Sequence, residues 1–106
     1  MIVINAKFLA KEDLTGVQRY EVEISKHLQK ICPDIKLVSP KKIVQRELSE
    51  CLTYDTCGNL NGHLWEQFDL PRYVSRKQPV LLCMGNTAPI AYRNKIVAIH
   101  DTSFLN

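Results

Sequence analysis

The chain lacks an apolar run long enough to form a membrane helix, and it has few glycines and aromatic residues. Its 106 residues include four glycines and one tryptophan. No segment approaches the roughly 20 apolar residues that a membrane helix requires. Met1 to Ile4 is predicted to be a strand, without the basic segment and small-residue cleavage site of a signal peptide. We therefore expect a cytoplasmic protein, with at most peripheral association at the inner face of the membrane.

Familiar phosphate-binding and metal-binding motifs are absent as well. The chain contains neither G-x-G-x-x-G nor G-x-x-x-x-G-K-[ST]. Its four cysteines form no C-x-x-C pair, and its three histidines are not spaced like zinc ligands. We expect four free thiols, although Cys51 and Cys57 flank a polar loop and could form a disulfide in an oxidising compartment. The sequence predicts no metal and no cofactor.

Charge of one sign is not concentrated anywhere in the chain. Fourteen Lys and Arg residues against 11 Asp and Glu residues give a net charge of +3. Nucleic-acid-binding proteins usually gather basic residues on one face, whereas here only short pairs occur, at Lys41-Lys42 and Arg76-Lys77. We expect no nucleic-acid partner. A weak basic bias also suits an enzyme that works near an anionic membrane surface.

The sequence does contain alternating strand-like and helix-like segments. Buried strands are predicted at 1–9, 35–38, 80–84 and 96–99, helices at 17–31 and 64–74, a short helix within 41–51, and a loop at 53–62. This alternation predicts βαβ units in a Rossmann-like α/β fold, an open parallel sheet flanked by helices. An apolar stripe on the first helix is expected to pack on that sheet: Val17, Tyr20, Ile24, Leu28 and Ile31.

In the helix predicted at 64–74, two aromatic residues lie at helical spacing among apolar neighbours. Trp65 and Phe68 are expected in the core rather than stacked on a ligand. Glu66 lies between them and could be a buried polar contact, with a role in the site as the alternative. Pro71 falls inside the helical pattern and predicts a kink or a new helix start.

The turn before the first helix is the most informative segment. Thr15 is a suitable N-cap, and Gln18 follows it at capping-box spacing. Gly16 allows a tight strand-to-helix turn, and the free N–H groups of a helix N-terminus can hold an anionic group. Arg19, one turn into the helix, could add a positive charge. The alternatives to an anion site are that Gly16 only permits the tight turn and that Arg19 is a solvated surface residue.

Three loops are predicted to meet at one edge of the sheet. They span 10–16, 85–89 and 100–104, each after a predicted strand, and ligands bind beyond the carboxyl ends of parallel strands. His100 could transfer a proton or donate a hydrogen bond to a substrate hydroxyl. Asp101 could orient its loop or cap a helix start. The convergence predicts a ligand site at this edge.

Five segments of the chain occur together in a recognisable order. They are IVINA at 2–6, LTGVQRY at 14–20, HLWEQ with a following LP at 63–71, GNTAP at 85–89, and IHDTSF at 99–104. In this combination, which covers nearly the whole chain, the sequence resembles the N-terminal half of group 1 (family 4) glycosyltransferases. The similarity is greatest to bacterial mannosyl- or related hexosyltransferases.

The resemblance implies a GT-B enzyme, with two Rossmann-like domains that face each other across a cleft. Such enzymes transfer a hexose from a nucleotide-sugar donor to an acceptor hydroxyl, with retention at the anomeric carbon and generally without a metal. The acceptor is expected to be a glycan or a lipid-linked glycan in cell-surface polysaccharide synthesis. From the resemblance and the loop convergence we predict catalytic roles for His100 and Asp101. Substrate contacts are predicted for Thr15, Gly16, Val17, Arg19, Asn86 and Thr87.

The chain ends at Asn106, where members of this family continue into a donor-binding domain. The resemblance therefore predicts a truncated N-terminal, acceptor-side domain over 1–106, without the donor-binding domain and inactive in transfer by itself. An incomplete sheet would leave an open edge and favour self-association. Two alternatives stay open: a non-catalytic nucleotide- or phosphate-binding module, and an interaction domain without a ligand.

Overall fold

The computed structural model describes residues 2–12, 16–85 and 87–98, and its centre is a parallel β-sheet. The five strands are β1 (Ile2–Asn5), β2 (Lys36–Ser39), β3 (Tyr54–Thr56), β4 (Val80–Cys83) and β5 (Lys95–Val97). Their order across the sheet is β3-β2-β1-β4-β5, and every neighbouring pair is parallel. The predicted Rossmann-like α/β class is confirmed.

Helices connect these strands. They are α1 (Gly16–Ile31), α2 (Arg46–Glu50), α3 (Gly62–Leu64), a π-helix (Trp65–Asp69) and α4 (Leu70–Val74), with a 3₁₀ turn at Lys7–Ala10. Helix α1 ends two residues before Pro33, which has no N–H to continue it. None of the described helices is both long enough and apolar enough to cross a membrane.

Both faces of the sheet are covered, so the central strands are apolar on both sides. Ile4 and Leu37 face one core, which includes Val22 from α1. Val3 faces the other core, which includes Trp65 from the π-helix. This arrangement buries the sheet but leaves its carboxyl edge open to the loops that follow β1 and β4.

The prediction of a strand over 1–9 was too long, and the loop predicted at 53–62 contains a strand. β1 ends at Asn5 because the Asn5 side-chain oxygen accepts the Lys7 backbone N–H at 3.1 Å, which turns the chain out of the sheet. The three-residue strand β3 pairs with β2 at the sheet edge. Such a short, mostly exposed strand leaves no periodic apolar signal.

The predicted apolar stripe of α1 was only partly right. Ile24 and Leu28 pack on the core as expected, but Tyr20 is 44% exposed and Ile31 is 76% exposed. The most deeply buried positions of the helix include Glu21 and Ser25. The buried face is therefore rotated from the apolar stripe, and it carries a carboxylate towards the carboxyl edge of the sheet.

The segment predicted as a helix over 64–74 is helical but not uniform. Its middle turn is a π-helix, in which the Leu70 N–H donates to the Trp65 carbonyl oxygen. Pro71 follows in the first turn of α4, where a missing N–H is tolerated. The prediction that Trp65 is in the core is confirmed, whereas the same prediction for Phe68 was wrong, since that ring is largely exposed.

Candidate functional site

A polar cavity of about 240 Å³ opens at the carboxyl ends of β1 and β4. Its walls come from four parts of the chain: the segment after β1, the first turns of α1, the α3–π-helix segment, and the loop after β4. The lining residues are Asn5, Lys7, Phe8, Lys11, Val17, Gln18, Glu21, His63, Glu66, Gly85 and Thr87. The edge that the strand pattern predicts for a ligand therefore holds a cavity in the structure.

The structure brings together two of the three predicted loops. Lys11 from the loop at 10–16 and Thr87 from the loop at 85–89 line the cavity, as does Val17 of α1, and the Lys7 ammonium donates to the Thr87 hydroxyl at 3.2 Å. Gly16 is exposed and begins α1 beside this wall. Arg19 is also exposed, and it is not part of the lining formed by the described residues.

Four predicted site residues lie outside the described residues. They are Thr15, Asn86, His100 and Asp101. Their predicted roles stay predictions.

Glu66 is the most deeply buried charged residue of the cavity, with 1% of its side chain exposed. Its Oε2 atom accepts a hydrogen bond from Asn5 Nδ2 at 2.6 Å and lies 3.3 Å from Lys7 Nζ. An ionised carboxylate is costly to bury unless it is paired and hydrogen-bonded. Lys7 supplies the countercharge and Asn5 the hydrogen bond, so Oε2 is well satisfied.

The other oxygen of Glu66 is not satisfied in the same way. Oε1 is shielded from solvent and has no hydrogen-bond partner among the described residues. The ring nitrogen Nδ1 of His63 lies 3.9 Å away, beyond hydrogen-bonding distance. A buried carboxylate oxygen without a donor costs free energy, and it marks a place where a ligand donor would be favourable.

Asn5 ties the cavity floor to the sheet. It is the last residue of β1, and its amide group bonds Glu66 through Nδ2 and the Lys7 backbone through Oδ1. The same Nδ2 lies 3.8 Å from Cys83 Sγ. Burial raises the pKa of the Cys83 thiol to about 12, and the nearby Glu66 and Glu21 carboxylates add to the effect. Cys83 is therefore a packing residue rather than a nucleophile.

Glu21 places a second carboxyl group in the cavity wall. Its side chain is almost fully buried, and burial raises its pKa to about 7, with a further increase from Glu66 and an opposing decrease from Lys7. A Cβ atom added at Gly85 would lie 2.8 Å from Glu21 Oε1. Gly85 thus allows Glu21 to approach the backbone after β4. Near neutral pH Glu21 can both donate and accept hydrogen bonds.

The π-helix points three consecutive side chains towards the rest of the protein. Trp65 donates to the Cys57 carbonyl at 2.9 Å, Glu66 reaches the cavity, and Gln67 binds the loop after β4. Gln67 Nε2 donates to the Ala88 carbonyl at 2.8 Å, and its Oε1 accepts the Ile90 N–H at 2.8 Å. A regular α-helix spreads consecutive residues by about 100° each, and π-turns are frequent at functional sites. The π-turn therefore holds Glu66 in the cavity wall and, through Gln67, also binds the loop after β4.

Sequence reasoning missed most of these polar residues. The sequence pattern places Asn5 and Lys7 in a strand, does not distinguish Glu21 on α1, and suggests for Glu66 a buried polar contact, with a role in the site as the alternative. The position of Asn5 at the end of a buried strand was an available signal. Glu21 stands four residues after Val17, one helical turn away on the same face, which could have identified it.

The charges of the lining decide which ligands suit the cavity. Lys7 and Lys11 oppose Glu21 and Glu66, and the Lys7 ammonium is already engaged by Glu66 and Thr87. Glu66 offsets the charge of Lys7, whereas Glu21 is only partly ionised near neutral pH and offsets Lys11 in part. Its carboxylate, amide, hydroxyl and ammonium groups suit a ligand with several hydroxyl groups. Within residues 2–12, 16–85 and 87–98, no three His, Cys, Asp or Glu side chains cluster as metal ligands would.

Comparisons with known proteins give no match, either to protein-family models, to curated proteins or to solved structures.

Proposed function

We propose that this chain is the acceptor-side domain of a retaining glycosyltransferase. In this proposal the enzyme moves a hexose from a nucleotide-sugar donor to a hydroxyl of a glycan or lipid-linked acceptor, at the cytoplasmic face of the membrane, for cell-surface glycan synthesis. The observation that carries the proposal is the polar cavity at the carboxyl edge of a parallel sheet, lined by Asn5, Lys7, Glu21 and Glu66.

The lining supports a sugar ligand through its hydrogen-bonding chemistry. Each sugar hydroxyl donates one hydrogen bond and accepts others, so it needs both kinds of partner. Glu66 and Glu21 provide acceptors, while the Lys7 and Lys11 ammonium groups provide donors. In open parallel sheets a crevice at this edge is the usual ligand site. The sequence resemblance to group 1 glycosyltransferases points to the same ligand class.

Transfer also requires stabilisation of the leaving nucleoside diphosphate. Negative charge develops on that group as the bond to the sugar breaks, and helix N-termini and basic residues can stabilise it. The start of α1 at Gly16 lies on the rim of the cavity and supplies one such terminus. We propose that a second, donor-binding domain supplies the other groups and closes the cleft.

His100 and Asp101 complete the proposed reaction centre. In an enzyme with both domains, His100→Ala is expected to lower turnover by orders of magnitude without unfolding the domain. Turnover close to that of the unmodified enzyme would remove His100 from the centre.

A phosphate- or nucleotide-binding module without catalysis is the second candidate. The favourable observation is that the positive end of α1 borders the cavity. Two buried carboxyl groups facing the same space count against it. A phosphate there would be repelled by the Glu66 carboxylate, and by Glu21 where Glu21 is ionised, whereas a neutral sugar would not be repelled.

Ligand-observed NMR with purified protein tests the proposal. A panel of hexosides, oligosaccharides and nucleotide sugars is expected to include at least one binder, with free phosphate and unrelated polar metabolites as controls. A separate transfer assay with the 106-residue chain is expected to show no sugar transfer. If no glycan and no nucleotide sugar bound, the sugar-transfer proposal would fail. Sugar transfer by this chain alone would refute the requirement for a second domain.

A further inference from the structure

The two carboxylate oxygens of Glu66 differ in their hydrogen bonding within the cavity. Oε2 is fully used by Asn5 and Lys7, while Oε1 has no hydrogen-bond partner among the described residues. The carboxylate is therefore fixed in place by one oxygen and unsatisfied at the other. A rigid acceptor of this kind costs little reorganisation when a donor arrives.

An exposed side chain of the cavity wall lies close to this oxygen. The His63 side chain is 77% exposed, and its Nδ1 atom lies 3.9 Å from Oε1. Because the imidazole is mostly in solvent, it can turn outwards without leaving a buried void. That movement would admit a ligand hydroxyl to Oε1.

From this geometry we infer that Glu66 selects the cavity's ligand: Oε1 accepts a hydrogen bond from a hydroxyl of a neutral hexose, and the carboxylate excludes phosphate. The inference rests on the proposed function and deepens it, since it assigns this cavity to a sugar ring rather than to the donor diphosphate.

Charge explains the exclusion of phosphate. Near neutral pH inorganic phosphate is an anion that still carries a P–OH donor, so it could donate to Oε1, but its negative charge would be repelled by the buried Glu66 carboxylate. Lys7 adds little net attraction for an anion, because its charge is offset by Glu66, which lies 3.3 Å away, although its third N–H is still open to a ligand beside Glu66 and Thr87. A hydroxyl, in contrast, donates to Oε1 and can accept from Lys7 through its lone pairs.

The first test uses the unmodified 106-residue chain, with methyl α-mannopyranoside and inorganic phosphate as probes. Calorimetry and backbone-amide NMR should show binding of the mannoside in the cavity, with no displacement by phosphate at equal concentration. Displacement by phosphate, or the absence of mannoside binding in the cavity, would overturn the inference.

The second test identifies the hydroxyl that reaches Glu66. Among the monodeoxy analogues of the mannoside, one is expected to bind the unmodified chain about tenfold more weakly, because it lacks the charge-assisted hydrogen bond. In Glu66→Gln this deoxy penalty should shrink several-fold, while phosphate binding should increase because Lys7 is released. Glu47→Gln, on the exposed surface of α2, is the control and should keep the full penalty. An unchanged penalty in folded Glu66→Gln would refute the role of Oε1.

The two proposals can fail separately. Binding of phosphate or of a nucleotide-sugar diphosphate in this cavity would refute the role given to Glu66 and leave sugar transfer intact. Failure of every glycan and nucleotide sugar to bind anywhere on the chain would refute the proposed function itself. If Glu66→Gln did not fold, competition between mannoside and phosphate on the unmodified chain would still decide the inference.

Discussion

Glu21 makes the stability of this domain depend on pH in a direction opposite to that of most surface carboxylates. Burial raises its pKa from an ordinary value of 4.5 to about 7 in the folded protein. Between these two values the unfolded chain releases the Glu21 proton while the folded chain keeps it. The unfolded state therefore binds fewer protons, and the free energy of unfolding falls as pH rises through this interval.

The size of the effect follows from the same two pKa values. The folded and unfolded values differ by roughly two to three pKa units, and each unit corresponds to about 1.4 kcal/mol. The full penalty is therefore about 3 kcal/mol, reached above the folded pKa and absent below the unfolded one. For a domain whose total stability is about 5–15 kcal/mol, this is a large fraction.

Glu21→Gln removes the ionisation and keeps the shape of the side chain. Its free energy of unfolding should match that of the unmodified protein at about pH 4 and exceed it by up to about 3 kcal/mol at about pH 8.5. Trp65 is the single tryptophan and is fully buried, so its fluorescence reports unfolding in urea. Urea titrations across the pH range measure the difference directly.

Glu23→Gln on the same helix is the matched control. Its carboxylate is 64% exposed and forms only a surface contact of 3.7 Å with Lys26, so its effect should be small and nearly independent of pH. The difference in free energy of unfolding between Glu21→Gln and the unmodified protein must grow with pH. A difference that does not change with pH, or a variant that is less stable than the unmodified protein at high pH, would refute the burial of Glu21 as the cause.

Three further predictions concern glycines and a cysteine. Gly58→Ala should destabilise the fold by about 2 kcal/mol or more in urea unfolding, because residue 58 has a φ of +71° and a Cβ would overlap the Asp69 carboxylate. Gly62→Ala should lower the free energy of unfolding by only about 1 kcal/mol, because residue 62 has a φ of +57° but a Cβ there meets no atom of the described residues within 4 Å. Equal losses of stability in Gly58→Ala and Gly62→Ala would refute the steric argument. With Ellman's reagent the two exposed cysteines, Cys32 and Cys51, should react at once. Cys83 should react only after unfolding, because burial raises the pKa of its thiol to about 12. Rapid labelling of Cys83 in the folded protein would contradict its burial. A Cβ added in Gly16→Ala meets no atom of the described residues within 4 Å, so this variant should preserve the melting temperature in a thermal scan; a large drop would contradict the open space at this position.

The fold was predictable because its signals are local. The apolar runs at Ile2 and Val80 predict buried parallel strands, and Pro33 sets the end of the first helix. Edge strand β3 is not predictable, because three mostly exposed residues show no periodic pattern of apolar side chains. The π-turn was missed because the widening of the helix is not encoded in a simple 3.6-residue pattern.

The site was less predictable because its key residues are charged and depend on distant contacts. Glu66 and Asn5 meet across 61 positions of sequence, so the sequence can suggest that the carboxylate is buried but not which group it contacts. Glu21 sits on a helix whose apolar stripe points elsewhere. The sheet edge could be located from strand ends alone, whereas the chemistry of the cavity required the packing of α1 and the π-helix.

The most direct test of the account is a map of sugar binding on the amide NMR spectrum of the unmodified chain. Titration with methyl α-mannopyranoside is predicted to shift the backbone signals of Lys7, Glu66, Gly85 and Thr87, which surround the cavity, and to leave those of α2 unchanged. Shifts confined to other surfaces, or no shifts at a saturating sugar concentration, would contradict the assignment of this cavity as a sugar site.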